Sequence, residues 1–124
     1  MGRSSQQKGR CAERELARIL QGYGFTNARP GAPVCYGSEP DLVGVPHVHI
    51  EVKRREVTDI ASALRQARAD AEYFGGTPAL FCRGNGDRWR VVMDLADWIK
   101  LYRGEVGLDA AGCICSEDGA AEVR

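Results

Sequence analysis

A short alternating segment constrains the fold of this chain more than any other feature. Residues 48–53 read Val-His-Ile-Glu-Val-Lys, so aliphatic and polar side chains alternate with the period of two that a β-strand imposes. Residues 41–45 form a second apolar segment just upstream, and Pro46 supplies a turn between the two. Pairing of these two strands predicts that Asp41 and Glu51 converge at one end of a sheet.

The polar side chains of this segment indicate a chemistry. Two converging carboxylates, Asp41 and Glu51, repel each other unless a cation lies between them. Mg²⁺ suits them because it prefers hard oxygen ligands and keeps several waters, one of which can become nucleophilic. Lys53 shares the face of Glu51 and can orient that water or stabilise charge on a phosphate. These residues predict phosphodiester hydrolysis, although an amphipathic strand with solvated charges explains Glu51 and Lys53 equally well.

The remaining pattern predicts an α/β protein. Its further elements, in chain order, are a helix over 8–23, a strand over 25–29, a helix over 59–74, strands over 79–82 and 89–93, and a helix over 95–102. We therefore expect a central mixed β-sheet flanked by helices, in the order α-β-β-β-α-β-β-α. The apolar stripe of the 59–74 helix, from Ile60 to Phe74, is compatible with a core face or with part of a dimer interface.

Composition limits the class of protein. Hydrophobic residues make up 44% of the 124-residue chain and charged residues 27%, as in soluble globular proteins. No apolar segment approaches the ~20 residues of a membrane span, and the basic N-terminus lacks the apolar core of a signal peptide. We therefore expect a cytoplasmic location. The five cysteines contain no C-x-x-C pair, which favours reduced thiols over a structural zinc site.

The charge of the chain is unevenly distributed, although its formal net value is zero. Residues 1–103 hold 16 basic and 12 acidic side chains, whereas residues 104–124 hold five acids and one base. The sequence predicts one domain over 1–103, whose residues 1–7 form a mobile basic arm, followed by an acidic Gly/Ala-rich tail over 104–124. The basic surplus of the domain suits an anionic partner.

Two motifs resemble a known family. Pro40-Asp41, followed after nine residues by Glu51-x-Lys53, is similar to the PD-(D/E)xK nuclease motif. The segment KGRCAERELARIL, residues 8–20, resembles the first helix of the archaeal-type Holliday junction resolvases and their phage relatives, with its Lys-Gly, three residues and Glu-Arg. The resemblance covers residues 8–83, and residues 84–124 carry no recognisable site.

The resemblance implies roles for individual residues. Glu13, Asp41 and Glu51 would bind the metal, and Lys53 would be catalytic. Helix geometry favours Glu13 over Glu15 only modestly, so the choice rests on the family spacing. Two more candidate catalytic residues follow from the resemblance. Ser38 corresponds to a small hydroxyl residue of the family, and Gln66 corresponds to a glutamine. The alternatives are a turn serine and a solvent-facing glutamine.

A nucleic-acid surface is predicted around these residues. The basic side chains that flank the motifs are expected to bind phosphates, so that the protein recognises the backbone and shape of DNA. These residues are Lys8, Arg10, Arg29, Arg54 and Arg55. His47 and His49 have no third nitrogen or sulfur ligand nearby in sequence, so we expect His49 to be a partly exposed strand residue that borders the site.

The sequence thus predicts a Mg²⁺-dependent endodeoxyribonuclease, with Mn²⁺ as a substitute, that cleaves four-way DNA junctions. Two symmetric cuts imply a homodimer. The resemblance implies a prokaryotic cell or a phage-infected host, and no nucleotide cofactor is expected. A nuclease of the same fold that cuts flap, nicked or restriction-site DNA has the same catalytic residues. A non-catalytic DNA-binding module is the other alternative, but it has no need of carboxylates facing phosphate.

Overall fold

The computed structural model describes the backbone of residues 5–31, 33–34, 37–38 and 40–104, and the side chains of residues 10–31 and 40–104. The chain divides into two compact units, the first ending at Val92 and the second beginning at Met93. The predicted acidic tail beyond Gly104 and the first four residues of the predicted arm lie outside the described residues.

The first unit opens with helix α1, Ser5–Gly22, which begins before Lys8 and therefore includes residues 5–7 of the predicted arm. Ala12, Leu16 and Ala17 form its buried face. After Gly24, whose φ of 109° suits glycine, residues 25–28 form a turn in which the amide of Ala28 donates to the carbonyl of Phe25. The strand predicted over 25–29 is therefore wrong in its bounds, because the chain turns there.

Among the described residues, seven strands follow in chain order, β1 to β7: Arg29–Pro30, Pro33–Val34, Gly37–Ser38, Leu42–Val43, Val48–Arg54, Thr77–Arg83 and Arg90–Val92. Five of them form a mixed sheet in the order β1-β4-β5-β6-β7, in which β5 and β6 are parallel and the other neighbours are antiparallel. The strands β2 and β3 pair as a separate hairpin that the sequence analysis does not predict. Without that hairpin, the element order is the predicted one, and the α/β fold class is confirmed.

Both faces of β5 are buried, which explains its central position. Ile50 and Val52 pack with Leu16 and Ala12 of α1 in one cluster. Glu51 lies beside Leu80 in the register with β6, and Leu80 packs on the other face of the sheet. Parallel strands are usually covered on both faces, so the polar residues of β5 lie inside the protein rather than in solvent.

Helix α2, Ile60–Phe74, covers the second face of the sheet. The side chain of Asp59 caps it by accepting a hydrogen bond from the amide of Ser62 (3.1 Å). Its buried residues are Ala63, Ala67 and Ala71, whereas Ile60 and Phe74 of the predicted stripe are about two-fifths exposed. The buried stripe is thus displaced toward small residues, which allow close approach of the helix to the sheet.

The second unit contains helix α3, Leu95–Tyr102, with Asp94 at its N-cap position and Trp98 stacked on Tyr102 (5.1 Å between ring centroids). None of the helices in the described part of the chain is long and apolar enough to span a membrane.

Candidate active site

The site forms just before the start of β4, where the pairing of β4 with β5 stops and that edge of β5 has no strand partner among the described residues. Leu42 pairs with Ile50, but this ladder does not continue to Val52. Instead, the amide of Val52 donates a hydrogen bond to Oδ2 of Asp41, at 2.8 Å. A carboxylate therefore replaces a backbone carbonyl at this edge, which holds Asp41 against β5.

Glu51 and Lys53 lie on the same side of β5, as the alternation predicts. Nζ of Lys53 is 3.4 Å from Oε2 of Glu51. Glu51 is only 4% exposed, so its carboxylate is almost removed from bulk water. A buried carboxylate with a neighbouring ammonium is a polar pair inside the protein, not the solvated pair of the alternative interpretation.

Glu13 reaches the same place from α1. It is half-buried and lines one cleft together with Asp41, Glu51 and Lys53. This cleft, which we call the acidic cleft, has a volume of about 1000 Å³. Three elements thus converge: α1 with Glu13, the start of β4 with Asp41, and β5 with Glu51 and Lys53.

The electrostatics of the acidic cleft favour a bound cation. Burial and the repulsion of Asp41 raise the pKa of Glu13 to about 7, and the same two causes raise the pKa of Glu51 to about 7. Burial also raises the pKa of Asp41, although the Val52 amide and Lys53 oppose it. Each carboxylate is thus held where its charge is unfavourable, a cost that a divalent cation would remove. The oxygen-only donor set fits a hard cation such as Mg²⁺.

The other predicted residues divide into three groups. Gln66, Arg54 and Arg55 line the acidic cleft. Arg10 is exposed on α1 and partly opposes the rise in the pKa of Glu13, while Arg29 is exposed on β1 and does not line the cleft. The side chains of the remaining two, Lys8 and Ser38, lie outside the described residues.

The carboxylate of Glu15 lines the acidic cleft too, but it is engaged by side chains from outside α1. Its carboxylate accepts hydrogen bonds from Arg83 at 3.0–3.2 Å and from the indole Nε1 of Trp89 at 3.1 Å. Although burial opposes the shift, these bonds lower the pKa of Glu15. Glu15 therefore joins α1 to β6 and its following loop, and its charge is already balanced.

The expectation of a partly exposed His49 is wrong, because the residue is only 1% exposed. Burial lowers the pKa of its imidazole. One ligand atom each of His49, Glu51 and Asp70 all lie within 4.8 Å of one another. Sequence reasoning missed Asp70, although its position four residues after Gln66 on α2 places both on one side of the helix.

Comparison with known proteins identifies the family of the chain. A family model described as archaeal Holliday junction resolvase (Hjc) matches residues 4–110, which include the whole sheet and every residue of the acidic cleft. No curated protein and no solved structure matches the sequence significantly. The family model covers most of the chain, and the chain therefore belongs to the archaeal Holliday junction resolvase family, within the PD-(D/E)xK nuclease superfamily.

Proposed function

We propose that this protein is a Mg²⁺-dependent, structure-selective endodeoxyribonuclease that resolves four-way DNA junctions, with Mn²⁺ able to replace Mg²⁺. One observation carries the proposal: carboxylates from α1, from the residue before β4 and from β5 converge beside a lysine in a single cleft. A non-catalytic DNA-binding module has no use for this arrangement, since buried carboxylates repel phosphate. Membership of a resolvase family supports the nuclease class.

Glu13, Asp41 and Glu51 supply the metal-binding oxygens in this proposal. A bound Mg²⁺ would polarise a phosphate oxygen and lower the pKa of an attacking water. The Val52 amide fixes the carboxylate of Asp41, and the burial of Glu51 restricts its motion. Asp41 and Glu51 are thus held in place before the cation arrives, which reduces the entropy lost on binding.

Lys53 has a separate role. In hydrolysis, the oxygen of water forms a bond to phosphorus while one ester P–O bond breaks, and the departing oxygen takes up a proton. Negative charge grows on the phosphoryl oxygens, and an ammonium in a partly buried cleft stabilises it. Nζ of Lys53 lies 3.4 Å from Oε2 of Glu51, and this ion pair would keep the ammonium in the cleft. The amide of Gln66, in the same cleft, would position the water or a phosphate oxygen; a hydroxyl from Ser38 would do the same.

Basic side chains would bring the DNA backbone to the cleft. Arg54 and Arg55 follow Lys53 directly and line the cleft, so they would bind the phosphates next to the scissile bond. Lys8, Arg10 and Arg29 would extend this surface along α1 and β1. Paired cuts in a four-way junction require two such clefts, so we propose a homodimer that binds branched double-stranded DNA.

The decisive experiment compares cleavage of a synthetic four-way junction with cleavage of linear duplex, nicked and flap DNA in Mg²⁺. Junction resolution by paired cuts is expected, with Asp41→Asn inactive. The matched control is Glu72→Gln, an exposed acid of α2 that does not line the cleft, and it should cut normally. Preference for flap, nicked or linear DNA would assign the same catalytic residues to another substrate. Binding without cutting in any metal would support the non-catalytic alternative.

A further inference from the structure

One buried side chain has no role in the proposed hydrolysis. His49 is 1% exposed, and within the described part of the chain neither of its ring nitrogens has a hydrogen-bond partner. A buried polar group without a partner normally destabilises a fold, so native proteins rarely retain one without a reason.

The surroundings hold the imidazole in place. The ring of Phe74 stacks on that of His49, with 6.2 Å between centroids and 22° between planes. A Cβ on Gly76 would approach the backbone nitrogen of His49 to 3.0 Å, so the chain packs closely there. His49 is thus held by close packing, and none of the described residues donates to or accepts from its ring nitrogens.

Two carboxylates lie next to this unpartnered imidazole. One comes from Glu51, two residues along β5 on the same side, and the other comes from Asp70 on α2. The ligand atoms of all three residues lie within 4.8 Å of one another. Ala67 and Ala71 allow α2 to pack closely on the sheet, which places Asp70, next to Ala71, within reach of β5.

We propose that His49, Glu51 and Asp70 form a second metal site that binds a first-row transition-metal dication, Mn²⁺ or Zn²⁺, beside the magnesium ligands of the acidic cleft. An imidazole nitrogen is a ligand for transition metals rather than for Mg²⁺, which prefers oxygen. The two carboxylates balance the charge of a dication. Three protein ligands leave coordination positions open, as in zinc sites that also hold water.

Glu51 belongs to both ligand sets. A carboxylate has two oxygens, so Glu51 can serve a cation on the side of Asp41 and Glu13 and another on the side of His49 and Asp70. A metal ion at the second site would therefore alter the Mg²⁺ affinity of the first site. Mg²⁺ at the first site would alter the metal affinity of the second site by the same factor.

The test uses the full-length protein without DNA and Mn²⁺ as the probe, in excess Mg²⁺. Pulsed electron paramagnetic resonance of bound Mn²⁺ should show coupling to an imidazole nitrogen in the wild type. His49→Leu should remove the coupling. The matched control is His47→Asn, because His47 is exposed and its φ of 69° is tolerated by asparagine. This variant should keep the coupling.

Stability measurements separate a metal ligand from a packing role. In EDTA, His49→Leu should melt no lower than the wild type, since it removes two unpartnered buried nitrogens. Mn²⁺ should stabilise the His49→Leu variant less than it stabilises the wild type. Asp70→Asn, a change on a half-buried residue of α2, should weaken Mn²⁺ binding by about tenfold or more.

The second site is refuted if wild-type protein shows no nitrogen coupling, if His49→Leu keeps it, or if Asp70→Asn binds Mn²⁺ as tightly as the wild type. These results are independent of cleavage. A protein that binds Mn²⁺ through His49 but cuts no DNA would contradict the proposed function alone. A junction-cutting protein without nitrogen coupling would contradict the second site alone.

Discussion

The backbone amide of Val52 donates its hydrogen bond to the carboxylate of Asp41 across 2.8 Å, at the edge where β4 stops pairing with β5. One carboxylate therefore has two tasks: it satisfies an amide of the central strand, and it contributes charge to the acidic cleft. The two tasks can be separated because one depends on an oxygen acceptor and the other on a negative charge.

Asp41→Asn and Asp41→Ala should therefore differ in stability but not in activity. Asparagine keeps an oxygen that can accept from Val52, so its free energy of unfolding should be close to or above that of the wild type. Alanine leaves the amide unpartnered and should cost about 1–3 kcal/mol. Neither variant should cleave a junction in Mg²⁺. Urea unfolding and cleavage assays on the same preparations check both statements. Normal cleavage by the asparagine variant would remove Asp41 from the metal site.

Glu13→Gln and Glu15→Gln form a matched pair on one helix. Both side chains line the acidic cleft, but only Glu15 accepts hydrogen bonds from the Arg83 guanidinium and the Trp89 indole. We expect Glu13→Gln to abolish cleavage with little effect on folding. Glu15→Gln should retain cleavage and lower stability by about 1 kcal/mol, because it weakens a charge-assisted contact that is partly exposed to water. Single-turnover cleavage and urea unfolding give the two readouts, and the reverse result would exchange the roles of the two acids.

Lys53 should be irreplaceable by arginine. Its ammonium is a compact charge 3.4 Å from Glu51, whereas a guanidinium is a larger planar group that cannot occupy the same position. Lys53→Ala should lower the cleavage rate by about 100-fold or more, and Lys53→Arg should not restore it. Lys100→Arg, on α3, is the control and should cut normally. A fully active Lys53→Arg would show that only positive charge matters at this position.

The stability of the metal-free protein should fall as pH rises. The folded-state pKa values of Glu13 and Glu51 are raised from 4.5 to about 7, so between these values the folded state binds more protons than the unfolded state. Their contribution to stability is present below pH 4.5 and is lost as pH passes 7. Added Mg²⁺ should stabilise the protein most at alkaline pH, where the carboxylates are free of protons.

Thermal melting in EDTA and in Mg²⁺, measured on both sides of pH 7, checks this prediction. Glu51→Gln should reduce the change of melting temperature with pH in EDTA, because one of the two titrating groups is then missing. Equal stabilisation by Mg²⁺ at acidic and alkaline pH would exclude these carboxylates as its ligands.

Local periodicity predicts much of this fold but not its long-range pairings. The alternation of residues 48–53 correctly placed Glu51 and Lys53 on one side of β5. The same alternation assumes that one face of a strand is exposed, and it therefore missed the burial of His49 beneath α2. The contact between Glu15 and Arg83 joins residues 68 positions apart, and nothing in the local pattern of either residue indicates it. No sequence pattern marks Asp70 as a site residue either, because single acidic residues are common on helices.

The salt dependence of DNA binding should show which basic side chains contact the DNA. Arg54 and Arg55 line the acidic cleft, so each would neutralise a phosphate near the scissile bond. Each phosphate contact contributes about one unit to the slope of log affinity against log salt concentration. Arg54→Ala and Arg55→Ala should therefore weaken junction and duplex binding together and reduce this slope by about one unit each.

Arg88→Ala is the matched control for these two variants. Arg88 is exposed in the loop between β6 and β7 and does not line the cleft, so its removal should leave the slope unchanged. Fluorescence anisotropy with a labelled junction in a series of salt concentrations measures all three slopes, with Ca²⁺ in place of Mg²⁺ to limit turnover. Equal slopes for Arg54→Ala, Arg55→Ala and Arg88→Ala would place the DNA on another surface, because the counterions released on binding would then come from contacts outside the acidic cleft.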